Sequence, residues 1–165
     1  NDSLARAAGL ACDRGIVVDA MSRTSDPRIV AAGDCTARRM VDGSLVRLES
    51  VQNATEQGKS AAAALLGQDK PFTATPWFWS DQYEHQLQIA GDPTLGTQRV
   101  TRPLGGGAQL EFHLDGDGRL VGVAGFGTTS ALAREFKLAR MLFERGVRAE
   151  AAALADPGVK LKSLL

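Results

Sequence analysis

The sequence carries no surplus of either charge: 19 Lys and Arg stand against 19 Asp and Glu in 165 residues. Nucleic acids and anionic membrane surfaces are held by an excess of Lys and Arg, so this balance excludes both as partners. Cysteine is nearly absent. Cys12 and Cys35 are the only two, with 22 residues between them, which is neither a CxxC redox pair nor a metal set. Reduced thiols in a cytoplasmic protein are the expectation. His85 and His113 are the only imidazoles, 28 residues apart, with no partner at metal-ligand spacing, so no metal site is expected. No uncharged apolar run approaches the ~20 residues that span a bilayer. The chain starts at Asn1 without an initiator Met or a basic-then-apolar leader, and reads as a trimmed piece of something longer.

Complete motifs are missing too. Asp115-Gly116-Asp117-Gly118 opens like a calcium loop, but the twelfth position falls on Phe126, where a bidentate Glu is needed. Gly125-Phe126-Gly127 begins like a dinucleotide fingerprint, yet Ser130 takes the third glycine's place and only 38 residues follow Gly127. Gly105-Gly106-Gly107 lacks the Lys-Ser/Thr of a phosphate loop, and no G-x-S-x-G elbow supports a hydrolytic serine.

What is present is ordinary globular composition, 44% hydrophobic and 23% charged. A short helix is expected over 2–10, a strand over 15–19, a polar turn over 22–27 and a second strand over 28–32 ending at Gly33-Asp34. The stretch 36–47 reads as polar. A long helix follows over 49–67, with Val51, Ala54, Gly58, Ala61, Ala62 and Leu65 on one small-residue face. Gly58 costs about 1 kcal/mol in a helix interior, and close approach of backbone to a sheet or ligand is the expected compensation. Residues 68–76, with Pro71 and Pro76, read as a linker and domain boundary. Beyond it the pattern becomes a meander: strands over 86–90, 109–114 and 120–124, the last two joined by the DGDG turn. A helix over 130–145 carries Leu132, Phe136, Ala139 and Phe143 as its stripe, and the tail after Pro157 is expected to be irregular.

Three segments carry chemistry. In Thr24-Ser25-Asp26-Pro27 through Ala31-Ala32-Gly33-Asp34, a glycine that lets backbone approach a ligand precedes an acceptor-only carboxylate, suited to the hydroxyls of a polyol. Alone, such a Gly-Asp at a strand end is a turn. In Arg47-Leu48-Glu49-Ser50-Val51-Gln52-Asn53-Ala54, a helix start offers unpaired N–H groups and partial positive charge to an electron-rich ring, or is an ordinary start capped by Ser50. In Pro76-Trp77-Phe78-Trp79-Ser80-Asp81-Gln82-Tyr83, four of the nine aromatics fall within seven positions, both tryptophans included; core or interface is the ordinary reading of such a cluster.

Taken in order, RTSDP-IVAAGD, RLESVQNATEQGKSAAA, PWFWSDQY and LQIAG resemble the second half of the FAD-dependent ferredoxin reductases. These flavoproteins, putidaredoxin-reductase-like and biphenyl-dioxygenase-reductase-like, serve ring-hydroxylating dioxygenases and cytochrome monooxygenases. The resemblance spans residues 1–91 closely and is looser beyond Gly91. It implies an α+β architecture: residual FAD-domain strands and a helix, then a C-terminal antiparallel sheet with a packed helix. It implies domains over 1–72, with 1–14 at the exit from the NAD domain, and over 73–165.

By the same resemblance, Asp34 after Gly33 binds the ribityl chain of FAD, and Val51 beside Ser50 donates its N–H to the flavin pyrimidine. Glu49 touches the nicotinamide amide of NADH, and Trp79 lies against the flavin near the electron route to a [2Fe–2S] ferredoxin. No catalytic acid or base is expected among them. The family's glycine fingerprints lie upstream of the matching segments, and no G-x-G-x-x-G occurs here. Without one the pyrophosphate of FAD has no helix N-terminus to rest on, so this piece is expected to hold FAD weakly or not at all and to be inactive alone. A related FAD-dependent NADH oxidoreductase and a non-enzymatic packing or dimerisation module remain as alternatives.

Overall fold

In the computed structural model, which describes residues 1–165, the chain forms two compact units, Asn1–Ala74 and Thr75–Leu165. The first opens with helix α1 (Ser3–Ala7). Asp2 does not cap it; its carboxylate instead takes both Nε and Nη2 of Arg6 at 3.0 and 2.8 Å. Strand β1 (Ile16–Val18) pairs in parallel with β2 (Thr36–Arg39), which pairs antiparallel with β3 (Leu45–Val46).

Two expectations fail here. Residues 28–32 form no strand: a single bridge joins Val30 to Arg23, and Ile29 stays 38% exposed. An apolar run signals burial, not pairing, and this one finds no continuous backbone partner. The strand falls instead in the stretch that reads as polar. Asp42-Gly43 turns β2 into β3, with Asp42 Oδ1 accepting from Ser44 N at 2.9 Å. Arg38 lays its guanidinium over Phe72, with Cζ 4.5 Å from the ring centroid.

Helix α2 (Val51–Leu65) is where its sequence puts it, capped by Ser50. Its buried face is not the small-residue stripe. Asn53, Gln57, Ser60, Ala61 and Ala63 are buried, whereas Val51 and Leu65 are exposed. A Cβ at Gly58 would meet nothing within 4 Å, so the close approach expected there is not observed. Residues 68–76 have no regular structure. They are nonetheless tied down: Ser60 Oγ donates to the Lys70 carbonyl at 2.7 Å and the Phe72 N–H to that of Ala20 at 2.8 Å.

The second unit is a five-stranded antiparallel sheet in the order β4-β5-β8-β7-β6. Its strands are β4 (Trp77–Gln82), β5 (His85–Gly91), β6 (Gln98–Gly105), β7 (Ala108–Leu114) and β8 (Leu120–Thr128). Alternation in β7 is strict, with Ala108, Leu110, Phe112 and Leu114 buried and the residues between them half-buried. Helix α3 (Thr129–Glu144) lies on that face with Leu132, Phe136, Ala139 and Leu142 buried; Leu142 replaces the Phe143 of the expected stripe. The helix approaches the sheet closely at Gly125, where a Cβ would stand 2.7 Å from Leu132 Cδ1 and 2.9 Å from Phe136 Cδ2. Gly125 thus serves helix packing inside a strand, whereas Gly127 makes room for Ala108 of β7.

The tail is also more ordered than its sequence suggests. Helix α4 (Ala151–Ala155) and a 3-10 turn (Leu161–Leu164) bury Leu154 and Leu161 in the core of this unit. Arg102 of β6 reaches across to hold them. Its Nη1 donates to the Asp156 carbonyl at 2.6 Å and its Nη2 to that of Val159 at 2.7 Å. A five-residue helix followed by a turn is too short to show a period in the sequence. No helix of the structure is long and apolar enough to cross a membrane.

Candidate functional site

The loop leaving Val30 turns sharply at Gly33, whose φ of +86° favours glycine over any side-chain-bearing residue. What fixes this turn is an amide from α2. Gln57, 1% exposed, receives the Gly33 N–H on Oε1 at 2.7 Å, with the Thr36 hydroxyl 3.0 Å and Asn53 Nδ2 3.4 Å from the same oxygen. Asn53 Nδ2 also donates to the Leu48 carbonyl at 2.8 Å, and the Ser22 hydroxyl to the main-chain oxygen of Gln57 at 3.2 Å. One buried side chain therefore sets the Gly33 turn, the start of β2 and the entry into α2.

That arrangement presents Asp34 with its carboxylate exposed. Arg47 ties it to the helix start: Nη2 donates to the Asp34 carbonyl at 3.2 Å and pairs with Glu49 at 2.8 Å. Both charged side chains are largely exposed, so the pair orients Arg47 more than it stabilises the fold. At the start of α2, Ser50 Oγ accepts from the Asn53 N–H at 3.2 Å and the Ser50 carbonyl accepts from Ala54 at 3.0 Å. This cap leaves the Val51 N–H outside it, at the positive end of the helix dipole. Gly33, Asp34, Glu49, Ser50 and Val51 are thus gathered around Arg47 and one helix terminus.

Trp79 belongs to the second unit. It lies in β4 facing Gln88 across the ladder, its ring 4.8 Å from that of Trp77. Arg140 of α3 covers Trp77 at 5.0 Å, and Trp77 Nε1 donates to Gln88 Oε1 at 3.3 Å. Trp77 is thereby built into the unit, while Trp79, half-buried, has its neighbour's ring on one side.

The residues missed from sequence are the ones that hold the site: Asn53, Gln57, Thr36 and Arg47. A signal existed for two of them. Asn53, Gln57 and Ser60 recur at i, i+4 and i+7, a polar stripe on a helix whose other faces are rich in alanine.

Residues 77–165 match the family model described as Reductase C-terminal, and residues 1–58 match that of Pyridine nucleotide-disulphide oxidoreductase. The ferredoxin–NAD(+) reductase component of the anthranilate 1,2-dioxygenase system of Burkholderia cepacia is 44% identical over 168 residues, covering 100% of this chain and 40% of its own length. A ferredoxin reductase from Rhodopseudomonas palustris superposes with a TM-score of 0.86 at 36% identity, over 99% of this chain and 40% of the other. The covalent putidaredoxin reductase–putidaredoxin complex gives a TM-score of 0.86 and 36% identity, over 99% and 39%. The chain spans about 40% of the length of the curated relatives it matches. Because the Reductase C-terminal model matches more than half of the residues, the chain belongs to that family.

Proposed function

We propose that this chain is the C-terminal portion of a cytoplasmic NADH-dependent flavoprotein that passes electrons through FAD to a [2Fe–2S] ferredoxin serving an oxygenase. A relative that is the ferredoxin–NAD(+) reductase component of a dioxygenase system, and a structural neighbour joined to putidaredoxin, support the ferredoxin partner and the oxygenase. Residues 1–14 then leave an NAD domain, 15–72 complete an FAD domain and 73–165 form a C-terminal domain. The two compact units, Asn1–Ala74 and Thr75–Leu165, support a boundary near residue 73.

The local chemistry fits FAD. An exposed carboxylate that only accepts hydrogen bonds suits the ribityl hydroxyls, and an uncapped N–H at a positive helix end suits the electron-rich pyrimidine edge. FAD supplies the redox chemistry, taking a hydride and releasing single electrons. Asp34, after Gly33, would hold the ribityl chain, and the Val51 N–H, set by the Ser50 cap, would orient the ring. Glu49, steadied by Arg47, would meet the carboxamide of NADH, and the Trp79 indole would lie against the flavin. None of these groups has to move a proton; their work is binding and orientation.

The observation that carries this reading is the Val51 N–H left outside the cap, on a helix start that Arg47 joins to Asp34. Flavin retention in the full-length reductase tests it. Asp34→Ala should weaken FAD binding by about 1–3 kcal/mol, the cost of leaving donors without their acceptor. Unchanged flavin content after dialysis would refute the assignment.

A further inference from the structure

Across the sheet from Trp79, at the β6 edge, lies an open cavity of about 720 Å³. Its charge is unlike that of the chain as a whole. Arg102, Arg134, Lys160 and Lys162 line it against a single carboxylate, Glu135, in a protein whose charges balance over the whole chain. Arg134, Lys160 and Lys162 make no ion pair, whereas Arg140 farther along α3 pairs with Glu144 at 3.3 Å. Leu104 and Leu138 give the cavity an apolar wall.

The cations are also held in place. Arg102 is 3% exposed and bonded only to main-chain carbonyls of the C-terminal segment, so its charge is buried without a counter-charge. Two of those carbonyls, Asp156 and Val159, lie just before Lys160, so the fork that buries Arg102 fixes the backbone bearing both lysines. A buried positive charge raises the potential of a neighbouring concavity because little water screens it. The volume falls among those of small-molecule sites, ~300–1,000 Å³.

We propose that this cavity binds an amphipathic organic phosphate. Arg134, Lys160 and Lys162 hold the phosphate, the buried charge of Arg102 adds to their field, and the Leu104–Leu138 wall takes the organic part. A phosphate monoester carries about −1.5 to −2 charge at pH 7 and three acceptor oxygens, which matches three unpaired cations around one opening. The site lies at the opposite sheet edge from β4, which carries Trp79, and the proposal does not depend on the flavin assignment.

Calorimetric titration of the 165-residue chain with AMP, inorganic phosphate and adenosine, at constant ionic strength, tests the proposal. AMP should bind more tightly than phosphate, and adenosine not at all. The exposed double change Lys160→Ala/Lys162→Ala should weaken AMP about tenfold or more. Arg134→Ala, on a different element, should also weaken it, so the outcome does not hang on one variant folding. Amide shifts on AMP addition should cluster at residues 102–105, 134–138 and 157–162. Equal affinity for AMP and phosphate, unaltered affinity in both variants, or shifts scattered over the surface would each overturn the site.

Discussion

Replacing Arg102 is the most severe single change the structure suggests outside the hydrophobic core. Its two short bonds, 2.6 Å to the Asp156 carbonyl and 2.7 Å to that of Val159, come from a charged donor. Such bonds contribute about 1.5–3 kcal/mol each. The contacts to Leu154 and Pro157, at 3.3 and 3.4 Å, add little. Arg102→Ala should therefore cost about 3–5 kcal/mol, since it also releases Leu154 and Leu161 from the core. Arg102→Lys keeps the charge but not the fork, and should recover about half of this. For a unit of this size, 1 kcal/mol shifts the melting temperature by roughly 4–8 °C, so Arg102→Ala should melt at least about 12 °C lower.

Both tryptophans lie in β4, so their fluorescence follows the Thr75–Leu165 unit alone. Hydrogen exchange at residues 154–161 should rise in parallel. The opposing argument is that a buried charge is costly to desolvate, so an apolar replacement can be neutral. An Arg102→Leu protein melting within about 4 °C of the parent would show that desolvation wins and that the carbonyls do not need their donor.

Gln57→Leu removes the acceptor shared by Gly33, Thr36 and Asn53 and should cost the first unit about 2–4 kcal/mol by urea denaturation followed by far-ultraviolet circular dichroism. A loss under about 1 kcal/mol would mean that the turn holds without it. The Arg28 guanidinium and N–H hold the Asp26 carboxyl down at about 2, against an ordinary 3.8. A lowered carboxylate stabilises the fold above the ordinary value, and that contribution disappears as pH falls towards 2. Arg28→Ala should raise the Asp26 midpoint towards 3.8 in a carboxyl NMR titration; an unmoved midpoint would assign the shift elsewhere. In the full-length reductase, Trp79→Ala should slow electron delivery to ferredoxin several-fold while leaving FAD content nearly unchanged, and equal loss of both would reduce Trp79 to packing.

Local signals were legible wherever a residue's neighbours in sequence are also its partners in space. The Ser50 cap, the extent of α2, the β7 alternation and the Asp115–Gly118 turn all follow from contacts within a few residues. Reading failed where the deciding partner lies far along the chain. Residues 28–32 look like a strand until the backbone that would pair with them is sought. Arg38 makes β2 look polar because the ring under its guanidinium is 34 positions away. The tail looks irregular because its anchor, Arg102, sits more than 50 residues earlier. The stripe on α2 misled in the same way, since small apolar residues are tolerated in water whereas Asn53 and Gln57 are buried with partners on other elements.

By itself the sequence determined the kind of protein: the ordered motifs around Gly33-Asp34, Glu49-Ser50-Val51 and Trp79 mark the reductase family, because side-chain identity at a site is chemistry and needs no coordinates. The tertiary structure decided how those residues are held. Gln57 locks the Gly33 turn, Arg47 joins Asp34 to the start of α2, and Arg102 draws the C-terminal segment against β6. Each of these is a hydrogen bond between residues distant in sequence, and only folding brings its donor to its acceptor.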